Sequence, residues 1–194
     1  MTYKYLLFVP LALGAFGCQP DATPKPRGYF RIEHPVPSYR TVEPECDAAF
    51  KLPQFAAVER VVGETSTDGT CWFNVVFPTL QARWHMTLMP LAEQDLSVLI
   101  EDAHQMAFSH DIKAVGIGRK RFAFPEHNVY GVLFELDGPV ASPLQFYATD
   151  SAQHFLRGSL YFNHVPNPDS LAPSLERVLA DTRHLLETLE WTTP

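Results

Sequence analysis

Asp150, Ser151, His154 and Arg157 place a carboxylate, a hydroxyl, an imidazole and a guanidinium within one short run, DSAQHFLR. An acid that orients an imidazole, and an imidazole that takes a proton from a hydroxyl, are the parts of a hydrolytic triad. The surroundings argue against that chemistry. Ser151 lies in T-D-S-A-Q and lacks the G-x-S-x-G turn that projects a nucleophilic serine. One tight turn also cannot line up serine, imidazole and acid in order. Turn formation accounts for the same residues, because Asp and Ser side chains accept from backbone amides in Asx and ST turns. Tyr147, Asp150, Ser151, His154 and Arg157 therefore make a candidate recognition tip with no catalytic residue expected. The alternative is an envelope hydrolase or small-ligand binder that uses Asp150, His154 and Arg157.

Other chemistries find little support. The eight histidines form no HxH, HExxH or HxxxH pair, so no metal site is expected. Neither GxGxxG nor GxxxxGK[ST] occurs, and no cofactor is expected. A net charge of −7 and a pI of about 5.5 leave no electrostatic footprint for nucleic acid.

The elements that must hold the tip can be read from periodicity. Gln145–Thr149 and Phe155–Asn163 are aromatic-rich strands on either side of the polar turn. Gly28–Glu33 alternates and reads as a strand closed by Pro35 and Pro37. Ala49–Leu52 and Phe55–Val62 form a strand region broken by Pro53. Cys71–Phe77 and Ala82–Met89 are strands joined around Pro78, the second with Trp84, Met86 and Leu88 on one face and His85 and Thr87 on the other. Glu93–His110 is a helix with an apolar stripe of Leu96, Leu99, Ile100, Ala103, Met106 and Ala107. Lys113–Phe122 and Asn128–Leu136 follow as strands, and Asp137-Gly138 turns the chain. Asp169 or Ser170 caps a last helix reaching about Trp191. Its residues Glu176, Arg177, Asp181 and Arg183 are expected to face water.

At 194 residues and 46% hydrophobic, the chain supports one well-cored domain. The order of strands, helix, four strands, helix predicts an α+β fold, with a mostly antiparallel twisted sheet and two packed helices. That order is similar to Mog1/PsbP-like folds.

The first residues read as a signal rather than as structure. Lys4 precedes an apolar run, Tyr5–Phe16, too short to span a bilayer. Cys18 follows small residues as in a lipobox, with Ala15 where leucine is usual; an ordinary signal peptide with an incidental cysteine is the alternative. The expected organisation is a lipoprotein signal peptide over 1–17, a Pro-rich lipid-anchored tether over 18–27 and one domain over 28–194. Acyl chains bury ~0.8 kcal/mol per methylene, enough to hold the domain on a membrane. Gln19 after the cysteine leans towards the outer membrane. Export leaves Cys46 and Cys71, which read as an intrachain disulfide, or otherwise as free or metal-binding thiols.

Six blocks then carry a resemblance: PKPRGYFRIEHP at 24–35, CWFNVVFP at 71–78, VYGVLFELDG at 129–138, QFYATDSAQHFLRGSLYFN at 145–163, PNPDSLAP at 166–173 and LLETLEW at 185–191. In that order they resemble the gliding-motility lipoprotein GldD family. The resemblance implies a non-catalytic envelope lipoprotein, associated with gliding motility and type IX protein secretion as an assembly or stabilising component. It implies lipidation at Cys18, pairing of Cys46 with Cys71, a periplasm-facing domain and other gliding or secretion lipoproteins as partners.

Overall fold

In the computed structural model, residues 38–61, 68–92, 94–109, 113–163 and 167–192 are described. Ten strands and two helices form an α+β domain with two antiparallel sheets. The strand expected at 28–33, the tether, Cys18, His110 and His164 lie outside the described residues.

A three-stranded and a four-stranded antiparallel meander, joined through one further strand pair, build the large sheet. β3 (Ala57–Arg60), β4 (Cys71–Phe77) and β5 (Ala82–Pro90) run antiparallel. β6 (Gly116–Phe124), β7 (Val129–Asp137), β8 (Leu144–Thr149) and β9 (His154–Phe162) form the other half. β9 pairs with β5, giving the order β3-β4-β5-β9-β8-β7-β6. The links β4–β5 and β6–β7 are each a 3-10 turn begun by proline, Pro78 or Pro125. Each turn ends on a left-handed residue, Gln81 or Asn128, so proline supplies the fixed φ and the last residue reverses the chain.

Period-two alternation sends side chains to two separate cores. Towards one face point Phe73, Val75 and Phe77 of β4, Trp84, Met86 and Leu88 of β5, and Phe146, Leu156 and Leu160 of β8 and β9. Towards the other point Met89, Val132, Phe134, Leu136, Tyr147 and Phe155. Helix α1 (Leu96–Phe108) covers this second face with Leu99, Ala103 and Ala107. Asp95 caps it by accepting from Ser97 N–H at 2.8 Å. Met106, expected in the apolar stripe, is instead exposed, because the strand beneath it presents Arg157 and not a hydrophobic floor.

The first core is closed by helix α2 (Pro168–Glu187) and a three-stranded sheet, β1 (Tyr39–Val42), β2 (Ala48–Pro53) and β10 (Glu190–Trp191). Phe50 of β2 stacks on Phe73 of β4, with centroids 6.1 Å apart. Burying each such ring contributes about 2 kcal/mol. Where Met86 and Phe146 converge, the chain needs Gly158, since a Cβ there would stand 2.7 Å from both side chains.

Three expectations for this half are corrected. The last helix is capped by Asn167, with Pro168 in its first turn, rather than by Asp169 or Ser170. It stops at Glu187, and Trp191 lies in β10, paired with Ala48. Asp181, expected in water, is 1% exposed. Its carboxylate accepts from the Tyr39 hydroxyl at 2.9 Å and from Arg177 Nε at 2.9 Å. Helical periodicity alone could not foresee this, because the group that buries Asp181 is β1, which the sequence did not announce.

Candidate functional site

The turn between β8 and β9 is built around one carboxylate. Asp150 Oδ1 accepts from the backbone N–H groups of Ala152, Gln153 and His154 at 2.9, 2.8 and 2.9 Å. Its Oδ2 lies 2.7 Å from His154 Nδ1. Burial pushes the Asp150 carboxyl upwards, but these N–H donors and the imidazole outweigh it and hold the group below the usual carboxylate range. Thr149 completes the turn, donating from Oγ1 to the His154 carbonyl at 2.6 Å and accepting from Ser151 N–H at 2.9 Å. Ser151 sits at φ +65°, the left-handed geometry that such a turn demands.

His154 is buried and its ring stacks on Trp191, with centroids 5.0 Å apart and planes within 3°. The Trp191 indole N–H donates to the Asn128 carbonyl at 3.1 Å. The turn is thereby fastened to β10 and, through it, to the small sheet. Two open clefts flank it, of about 600 and 530 Å³, and both include Ala152, Gln153 and His154 in their walls.

The five candidate recognition residues do not converge on one site. His154 shares parity with Leu156 and Gly158, on the face towards α2 and the small sheet, and Asp150 is paired with it. Tyr147 and Arg157 are register partners on the opposite face, under and beside α1. Tyr147 is buried and stacked on Phe155 at 5.5 Å. Arg157 projects past the helix and donates to Met106 Sδ at 3.1 Å. Ser151 opens on the α1 side, into a different cleft from the one that reaches His154. Asp150 and His154 thus form a pair, while the Ser151 side chain opens into a different cleft and makes no hydrogen bond to the imidazole.

Cys46 and Cys71 are joined in a disulfide whose Cα atoms are 6.1 Å apart. It ties the approach to β2 to the start of β4, hence the small sheet to the large one. Among the described residues no group of three or more His, Cys, Asp or Glu could hold a metal ion.

A feature that sequence reading passed over lies on the α1 side. A cleft of about 800 Å³ runs between α1 and the β6-β7-β8 strands. Leu96, Ile100 and Val132 give it an apolar wall, and Arg119, Arg121, His104, Tyr130, Tyr147 and Ser151 bring polar groups to it. The signal was present in Gly118–Phe122, where Arg119 and Arg121 alternate with Lys120 and so share a strand face. Lys120, on the other face, pairs with Glu135 at 2.8 Å.

A family model described as gliding motility lipoprotein GldD matches residues 19–191. The chain belongs to that family. No curated protein and no solved structure matches it. The match covers both sheets and both helices, and it carries the association with gliding motility and with lipid anchoring in the cell envelope. The family is one of motility lipoproteins and not a known enzyme family. No helix among the described residues is long and apolar enough to cross a membrane.

Proposed function

We propose that this GldD-family chain is a non-catalytic lipoprotein that assembles or stabilises the gliding and type IX secretion machinery. Cys18 carries the lipid, the outer membrane is the anchoring membrane, and the domain faces the periplasm. The observation that carries the reading is the family match over 19–191, together with a turn whose carboxylate is consumed in holding its own backbone. A carboxylate that already accepts three N–H bonds and an imidazole has little capacity left for substrate.

Its partners are other envelope lipoproteins, met through the outer surface of α1. There Val98, Met106 and Phe108 are exposed, and Arg157, which contacts Met106, has no carboxylate partner among the described residues. Apolar side chains with an arginine are the composition of a recognition surface. A partner with acidic and apolar side chains matches that chemistry.

The test is a strain carrying Cys18→Ala alongside one carrying Met106→Asp/Phe108→Asp. Loss of gliding and of type IX cargo secretion in both, with the α1 variant still membrane-bound, is the expected result. Normal motility and secretion after removal of the whole gene would end the proposal. The Asp150–His154 contact favours a second reading, an envelope hydrolase or small-ligand binder at the turn. That reading requires His154→Gln to abolish function while leaving stability and partner capture intact.

A further inference from the structure

The cleft beneath α1 holds six side chains that can donate hydrogen bonds: Arg119, Arg121, His104, Tyr130, Tyr147 and Ser151. None of the six side chains makes a hydrogen bond or ion pair with a described residue; the Arg119 guanidinium lies 5.7 Å from the Phe108 ring and the His104 ring meets Phe134 edge-on at 5.0 Å. No described carboxylate lines the cleft. In a chain of net charge −7 that is a local reversal of sign. Elsewhere four described arginines find acids, Arg60 with Glu45, Arg83 with Glu59, Arg177 with Asp181 and Arg183 with Glu135, and Arg40 donates to the Ala56 carbonyl.

Tyr147 sharpens the contrast. It is 8% exposed, yet its hydroxyl bonds to no described residue and the cleft is where the side chain reaches the surface. Burial pushes the phenol above its ordinary range and the nearby Arg121 pulls it back, so the cation and the hydroxyl address the same space. The ring is held in the core while the hydroxyl opens into the cleft beside an unpaired guanidinium, so both groups are free to meet an occupant. Leu96, Ile100 and Val132 add an apolar wall that a bare ion would leave unused. The volume, about 800 Å³, falls in the range of small-molecule sites, ~300–1,000 Å³.

We propose that this cleft is a binding site for a small amphiphilic oxyanion, a carboxylate or phosphate monoester on an apolar body. The guanidinium forks of Arg119 and Arg121 take the oxyanion, for which their planar geometry and weak hydration suit them. The Tyr147 hydroxyl donates beside them, and the body lies along Leu96 and Ile100.

Calorimetric titration of the full chain with phenyl phosphate and, separately, hexanoate tests this. One-to-one binding of either probe, weakened by salt and lost at least tenfold in Arg119→Gln/Arg121→Gln, is the expected result. Binding of phenyl phosphate alone assigns a phosphate ester, and of hexanoate alone a carboxylate. Arg121→Lys keeps the charge and loses the fork, so a several-fold loss is expected there. Three outcomes overturn the proposal: no binding by the wild-type chain, equal binding by the double variant while it melts as the wild type does, or equal binding of inorganic phosphate or hexanol.

Discussion

The large sheet handles charge differently beneath its two helices. On the α2 face the charged groups are spent internally: Arg177 and Asp181 pair in the interior with Tyr39, and Lys120 and Arg183 share Glu135. On the α1 face Arg119, Arg121 and Arg157 have no carboxylate partner among the described residues. Exposed Val98, Met106 and Phe108 stand on that helix as well. A side chain locked into a buried pair stabilises the fold and is unavailable to a ligand, whereas an unpaired one does the reverse. The difference teaches where to look for function in a fold without a catalytic constellation. The α2 face maintains the domain, and the α1 face presents it.

The largest expected effect is on the closed face. Asp181→Ala leaves Arg177 buried without its partner and removes the acceptor of the Tyr39 hydroxyl, so urea denaturation should show a loss of about 3–5 kcal/mol. A loss under ~1 kcal/mol would mean that the face is not held by its charges. Next, replacing Cys46 and Cys71 by serine removes a crosslink spanning 25 residues and should cost about 3 kcal/mol in the same measurement.

The turn lies between the two faces and should respond to acid. Asp150 has its folded pKa below the ordinary carboxylate value, so the unfolded chain binds the proton more readily. The stability it contributes is present above about pH 4, where an unfolded Asp is ionised, and is lost as pH falls through the folded value. Asp150→Asn should cost on the order of 1 kcal/mol at neutral pH, as hydrogen bonds to a charged acceptor are weakened. Melting followed from pH 7 to 3 should then show a shallower acid decline for the variant than for the wild type. Equal declines would remove Asp150 as a source of acid sensitivity.

The smallest effect belongs to the open face. Arg121→Gln should change unfolding stability by no more than ~0.5 kcal/mol, since nothing in the fold depends on it. A loss above ~1 kcal/mol would show that Arg121 is structural and would break the contrast between the faces.

Much of the framework is legible in the sequence. Strand β4 begins and ends where its apolar run does, and in β5 the inward set Trp84, Met86 and Leu88 followed from alternation. Pro78, Pro125 and Asp137-Gly138 marked the reversals, because proline and left-handed positions are local constraints. Strand β1 was not legible. Its four residues, YRTV, acquire meaning only by pairing with β2, and the burial of Asp181 follows from that pairing. Likewise Trp191 continued a helical pattern but became a strand residue stacked on His154, a contact across 37 positions of sequence.

What the sequence by itself determined was most of the larger elements, the inward face of strands such as β5 and the resemblance to the family, since periodicity, turn chemistry and motif order are all local. Only the tertiary structure decided which side chains meet. It opened His154 and Ser151 into different clefts, turned Asp150 into a backbone clamp and brought Arg119, Arg121 and Tyr147 from two strands into one cleft under α1. The physical reason is that a strand dictates the face of each side chain but not its neighbour. The neighbour is set by sheet order and by which helix covers which face.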